Sequence, residues 1–212
     1  MSAVLASPLQ HCTPIHLQPR FDLGFEARAI RRPSRRAGLS LRSRPSGNAS
    51  LDTLLPGGGW PLGGLIEILV EKMDNSELGL LLPALAALTR ARQRVAIIGA
   101  PNALDSRRLV AAGIDLDHLS RIDSSVSDTH WSAEQYLRAG GCAAVVLWQS
   151  RDDYRQLRNL QLAAEGGTAL AFVFRSAAAV DQPSPAALRI KIAMGEQGRR
   201  IEILRCRGIL DA

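Results

Sequence analysis

The chain has 212 residues, 46% of them apolar and 22% charged, the balance of a soluble globular protein with enough chain for a real core. No apolar run approaches the ~20 residues that a membrane-crossing helix needs, so a membrane partner is not expected. The net charge of +6 is unevenly placed: residues 1–44 carry eight arginines against Asp22 and Glu26, and the remainder balances at 18 basic and 18 acidic residues.

Residues 1–47 mix Pro, Ser and Arg with no sustained period, as in RAIRRPSRRAGLSLRSRPSG. They are expected to form a basic, mostly disordered arm, with the domain proper at 48–212. Three readings of the arm stand side by side. It is a solvated tail without function, including one added by an upstream start site. It is an electrostatic contact for DNA or an acidic partner, through Arg31, Arg32, Arg35 and Arg36. Or it is an Arg-rich organelle transit peptide.

From residue 48 the pattern becomes strand, helix, strand. The Gly-rich segment SLDTLLPGGGWPLGG leads to an apolar strand at Leu65–Val70. The following helix is expected over Glu77–Arg92, with Leu and Ala on most sides. A strand at Arg94–Ile98 ends at Gly99. A helix at Ala103–Ala112 ends at Gly113, a good C-terminal stop. Leu119–Ile122 reads as a short strand. Asp128 is placed to cap a helix that runs to Ala139, and Ala143–Trp148 is a continuous apolar strand. A helix over Asp152–Glu165 has Tyr154, Leu157, Leu160 and Leu162 on or near its buried stripe. Ala169–Phe174 is a further buried strand. Strands apolar throughout and separated by helices imply a parallel sheet covered on both faces. After residue 186 the period drops to 2: Leu188, Ile190 and Ile192 alternate with Arg189 and Lys191. A turn at Gly195–Gly198 and the series Ile201, Ile203, Cys206 complete an antiparallel hairpin with one solvated face.

The cysteines, Cys12, Cys142 and Cys206, are too scattered for a disulfide framework. His11, Cys12 and His16 lie close together, but no second ligand pair follows, so a four-ligand metal site is not expected. Ser124, Ser125 and Ser127 form a polar loop without a partnering histidine. His130, with Trp131 and Glu134 on the same helix, reads as packing and surface. No Ser/His/Asp arrangement is supported.

The frame of a Gly-rich turn, strand, polar loop and helix is that of a phosphate-binding loop. Such a loop needs glycines so that backbone N–H groups reach the phosphates, a lysine for charge, and a hydroxyl for magnesium. Lys72 and Lys191 are the only lysines in the chain. Over Ser50 to the C-terminus the chain resembles the RecA recombinase superfamily. Leu51, Asp52, Gly58, Gly59, Pro61, Gly63, Glu67 and Ile68 match its strand-entry segment. ALD at 103–105, GIDLDHL at 113–119 and VVLWQS at 145–150 match later segments. The two patterns run in step from Glu77 to Ser150, with one extra residue in the loop at 71–76. The resemblance implies a RecA-like three-layer α/β sandwich, with a mostly parallel central sheet and a C-terminal antiparallel hairpin.

The departures from that pattern fall on the chemistry. The phosphate lysine position holds Glu77, the hydroxyl pair falls on Leu78 and Gly79, and the preceding glycine on Ser76. The catalytic glutamate position holds Pro101, the Walker B aspartate Gln149, and the adenine-stacking tyrosine Arg108; Asp105 is kept. A carboxylate at Glu77 is expected to face the triphosphate and repel it by about 4 kcal/mol at roughly 4 Å and an effective dielectric of about 20. The chain is therefore expected not to be an enzyme and to hold no cofactor. The linker from Arg175 to Pro185, SAAAVDQPS, has neither a basic residue nor an aromatic, so the core also lacks the usual groups for single-stranded DNA.

Within the superfamily the phrases LPGGGWPLGGLIEIL, RDDYRQLRNLQLAAEGGTALAFVFR and QPSPAALRIKI resemble ImuA-type proteins. That resemblance implies a non-enzymatic accessory factor of SOS-induced translesion synthesis, cytoplasmic and nucleoid-associated when DNA is damaged. Its implied partners are an ImuB-type Y-family polymerase homologue, RecA, and an error-prone replicative-type polymerase. A SulA-like division inhibitor acting on the division GTPase is the alternative, and an ATP-dependent recombinase a third. Trp60 reads either as a packed side chain or as a partner contact. Arg151, Arg155 and Arg158 read as a solvated face with local ion pairs or as a docking face.

Overall fold

The structure, a computed structural model, describes residues 25–29, 42–55, 57–123, 128–149, 153–195 and 198–206. Its centre is β4 (Leu65–Val70), buried at every position. Beside it lie β8 (Leu170–Ser176) and β9 (Leu188–Gly195), both parallel to it. Beyond β8 come β7 (Ala144–Trp148), β5 (Val95–Ile98) and the edge strand β6 (Leu119–Ile122), again parallel. On the other side β10 (Gly198–Cys206) pairs antiparallel with β9, and β1 (Phe25–Ala29) pairs parallel with β10. The eight-stranded order is β1-β10-β9-β4-β8-β7-β5-β6. This is the expected α/β sandwich with a mostly parallel sheet and a C-terminal antiparallel hairpin.

Helices cover both faces because the central strands are apolar on both. On one face lie α1 (Ala49–Leu54), α2 (Leu82–Arg90) and α3 (Ser106–Ala111), packed on Ile66, Ile68, Ile97, Val146, Phe172 and Ile190. On the other lie α4 (Thr129–Arg138) and α5 (Tyr154–Glu165), packed on Leu65, Ile98, Leu147 and Val173. Gln161, buried on α5, accepts from the Leu65 backbone N–H at 2.9 Å, so the first donor of β4 is satisfied from the helix layer.

The Gly-rich entry is shaped by a small second sheet. In it β2 (Ser43–Arg44) pairs with β3 (Trp60–Pro61). Gly59 has no room for a side chain: a Cβ would sit 2.2 Å from the Arg44 carbonyl oxygen. Gly63 turns the chain into β4 at a φ of +71°, a conformation open to glycine. Asp52, kept from the RecA pattern, accepts from the Ser46 N–H at 2.9 Å and ties this entry to α1.

Several expectations are corrected. Backbone pairing begins inside the stretch read as the arm, at β1 and β2, because an unpaired β10 edge and the Gly59 approach give those residues partners. The helix expected over Glu77–Arg92 is a 3-10 turn at Ser76–Leu80 followed by α2, with Pro83 in the first turn of the latter. Asp128 stands at the start of α4 in helical conformation and makes no side-chain cap; Asp153 caps α5 instead, accepting from the Arg155 and Gln156 N–H groups. Tyr154 and Leu162 lie on the outer side of α5, 47% and 48% exposed, because the buried stripe runs through Leu157, Leu160, Gln161 and Ala164. The hairpin face carrying Arg189 is not solvated: β9 has β4 as its other neighbour, and Arg189 is buried.

Candidate functional site

In open α/β sheets ligands bind at the carboxyl ends of the strands. Here the loops after β4 and β5 enclose a cavity of about 550 Å³ there, lined among others by Asp74, Ser76, Leu78, Asp105 and Arg108. A second cavity of about 290 Å³ lies between the ends of β4 and β9, against Lys72, Asp74, Ser76, Glu77 and Ile192. The RecA-like frame thus keeps space where the resemblance places a nucleotide.

The loop around that space is closed by its own carboxylates. Glu77 does not face the cavity as expected; it turns inward and is 3% exposed. Its Oε1 accepts from the Trp148 indole N–H at 2.6 Å, and its Oε2 accepts from the Asp74 backbone N–H at 3.3 Å. The reason is local: Glu77 opens the apolar run to Leu82 and falls on its buried side, so the carboxylate must find donors inside. Trp148, at the end of β7 and stacked on Phe174 with ring centroids 5.0 Å apart, supplies one. Asp74 in turn accepts from the Ser76 N–H at 3.1 Å and pairs with Lys72 at 3.1 Å. The Ser76 hydroxyl, then Lys72, hold its pKa at about 2, below the ordinary 3.8. Asn75 takes the left-handed conformation, at a φ of +70°. Its side-chain amide reaches the Asn102 carbonyl at 2.9 Å and joins the two loops.

These residues do not fit a magnesium-bound triphosphate. Backbone N–H groups of the loop point at Asp74 and Glu77, and the lysine position holds the acid that does the capping. Leu78 is buried, and Gln149, buried at the end of β7, carries no charge for a metal. Asp105 caps α3 through the Arg107 N–H at 2.9 Å and faces Arg108 at 3.7 Å. Ser76 and Leu78 share the larger cavity; Pro101 is exposed in the loop after β5, and neither Pro101 nor Gln149 lines either cavity. Among the described residues no group of His, Cys, Asp and Glu side chains is placed to hold a metal, and no helix is long and apolar enough to cross a membrane.

The remaining expectations fall as follows. Trp60 is fully buried and meets Phe172 edge-on, ring centroids 5.3 Å apart, so it is not a surface contact. Arg155 and Arg158 are exposed on α5. Arg31, Arg32, Arg35, Arg36, Arg151, the His11–Cys12–His16 group and Ser124, Ser125 and Ser127 lie outside the described residues. Sequence reasoning missed Trp148 and Asp74 as partners in the loop. A carboxylate at the head of an apolar run, with an indole N–H at the end of a neighbouring strand, was the available signal.

A second buried charge cluster lies below the site. Glu67 on β4 is fully buried between Arg175 on β8, at 2.5 Å, and Arg189 on β9, at 2.9 Å. Arg175 also donates to Gln182 at 2.8 Å, and Arg189 to the Ala179 and Val180 carbonyls at 2.5 and 2.8 Å. The linker read as a shortened DNA loop is folded over these arginines.

No family model matches the chain. It is 31% identical to RecA of Acholeplasma laidlawii over 112 residues, 52% of this chain and 34% of that one. It is 25% identical to RecA of Lactobacillus delbrueckii subsp. bulgaricus over 131 residues, 62% of this chain and 39% of that one. The chain spans little more than a third of the length of these curated relatives. The crystal structure of SulA from Pseudomonas aeruginosa covers 53% of this chain and 97% of its own, at 22% identity and a TM-score of 0.45; a likeness at that level bears no functional weight. The matches to RecA are weak and partial, and they support a RecA-superfamily protein.

Proposed function

We propose that this chain is a non-enzymatic RecA-like scaffold, an ImuA-type accessory factor that binds an ImuB-type polymerase homologue, with RecA as a further partner, in SOS-induced translesion synthesis. The observation that carries the non-enzymatic part is the inward Glu77, bonded to Trp148 where a phosphate lysine would stand. A loop whose donors are bound internally has no charge-driven reason to take up ATP, and losing nucleotide removes the switch on which a filament-forming ATPase depends. The translesion role rests on the sequence resemblance to ImuA-type proteins, and weak homology to RecA supports the wider setting.

Two measurements test the reading. Calorimetric titration with ATP and magnesium is expected to give no binding below millimolar concentration; micromolar binding would return the chain to the nucleotide-dependent class. Co-purification with the polymerase homologue is expected to give a stable complex at micromolar concentration. Absence of that complex, together with filamenting cells on over-expression, would favour division inhibition instead.

A further inference from the structure

The outer side of α4 and α5 carries groups that the nucleotide-site comparison leaves unused. Tyr154, Arg158 and Leu162 recur at i, i+4 and i+8 on α5 and so form one row on its surface, with Arg155 beside it. Tyr154 is 47% and Leu162 48% exposed, and Trp131, in the first turn of the adjacent α4, is 66% exposed. The two helix starts are close in space. The pKa of His130, next to Trp131, is lowered by burial, and the Asp153 carboxylate at the head of α5 opposes that shift.

Charge on this face is one-sided. Asp153 is occupied by the Arg155 and Gln156 N–H groups. Glu134 pairs with Arg138 at 2.7 Å, and Glu165 accepts from Gln161 at 2.8 Å. The Arg155 and Arg158 side chains have no ion pair among the described residues. Exposed Trp and Tyr beside unpaired arginines is the composition of interface centres.

We propose that this face docks a helical segment of a partner protein, one that presents carboxylates beside leucine-type anchors. The carboxylates would meet Arg155 and Arg158, and the anchors would meet Trp131, Tyr154 and Leu162. An aliphatic group in the middle of the row favours a protein over single-stranded nucleic acid, which gains from stacking and cations but little from Leu162. A second copy of the chain, meeting face to face, would bring like charges together.

The inference stands on the face itself, so it can hold or fall independently of the polymerase homologue. Trp131 is the one exposed tryptophan of the three in the chain, and its quenching by acrylamide reads this surface. The probes are a synthetic helix with leucines at i, i+4 and i+7 flanked by glutamates, the same peptide with lysines, and oligothymidylate. The glutamate peptide is expected to shield Trp131 at micromolar concentration. The Arg155→Glu/Arg158→Glu variant, changed only at exposed positions, is expected to bind it at least tenfold more weakly. Equal shielding by both peptides, or none by the glutamate peptide, would overturn the proposal. Preference for oligothymidylate, or shielding that rises with protein concentration alone, would overturn it in favour of nucleic acid or of self-association.

Discussion

Glu67 and Glu77 stand on either side of the end of β4, and both are buried. Glu67 is a position kept from the RecA pattern; Glu77 replaces its phosphate lysine. The kept glutamate meets two guanidinium groups from the flanking strands, Arg175 and Arg189. The replacing one meets neutral donors, the Trp148 indole and the Asp74 backbone N–H. The kept residue therefore fastens the strands of the sheet to each other. The new one fastens a loop to the sheet after its ligand chemistry has gone. Losing the lysine did not leave a hole in the site; it was accompanied by an internal anion in the place where an external one would be held.

Removing each carboxylate separates these roles, and the largest effect belongs to Glu67. Its replacement by Leu leaves two buried arginines without their counter-charge, a change that typically costs about 3–5 kcal/mol. For a domain of this size that corresponds to a fall in Tm of roughly 10 °C. The triple variant Glu67→Leu, Arg175→Met, Arg189→Leu is expected to recover most of the loss, since an apolar set of similar volume needs no desolvated charge. Thermal denaturation of the single and triple variants measures both. A Glu67→Leu loss no larger than that of Glu77→Leu would erase the distinction between the two glutamates.

Glu77→Lys is the sharper test of the loop, because it restores the residue type of the RecA pattern. It removes the acceptor of the Trp148 N–H and is expected to destabilise the protein by about 1–3 kcal/mol, the cost of leaving a buried polar group unpaired. Urea denaturation reads that loss. No ATP affinity is expected to return, because the Ser76 N–H remains with Asp74 and Gln149 offers magnesium no charge. Micromolar ATP binding by this variant would mean that the loop amides are available after all.

The arrangement of strands was largely legible in the sequence, because unbroken apolar runs allow few placements. Leu65–Val70 and Leu119–Ile122 are strands with the bounds expected. What failed was the direction of single side chains. Alternation in Leu188–Ile192 shows two faces but not which is covered; the fold of residues 177–187 over Arg189 decides that. Helical spacing placed Tyr154 and Leu162 near the apolar stripe, yet a small rotation of α5 leaves them outside. Glu77 was read as an outward charge because a charged residue in a loop usually is one. Its inward turn depends on an indole far along the chain, and only the packing of β7 against β8 brings that indole within reach.

Asp74 offers the smallest effect and the most direct view of the closed loop. Its carboxylate accepts from Ser76 and pairs with Lys72, contacts that favour the ionised form and hold its pKa at about 2 against 3.8 when unfolded. Between those values the unfolded chain binds more protons than the folded one, so the contribution of Asp74 is complete above pH 3.8 and disappears as pH falls through 2. An Asp74→Asn variant keeps an acceptor for the Ser76 N–H but carries no such dependence. The stability difference between the two proteins is therefore expected to shrink on acidification, and the carboxyl resonance of Asp74 is expected to titrate near 2. Titration near 3.8 would show that the Ser76 N–H is not held by this carboxylate, and that the loop has a donor to spare for an external anion.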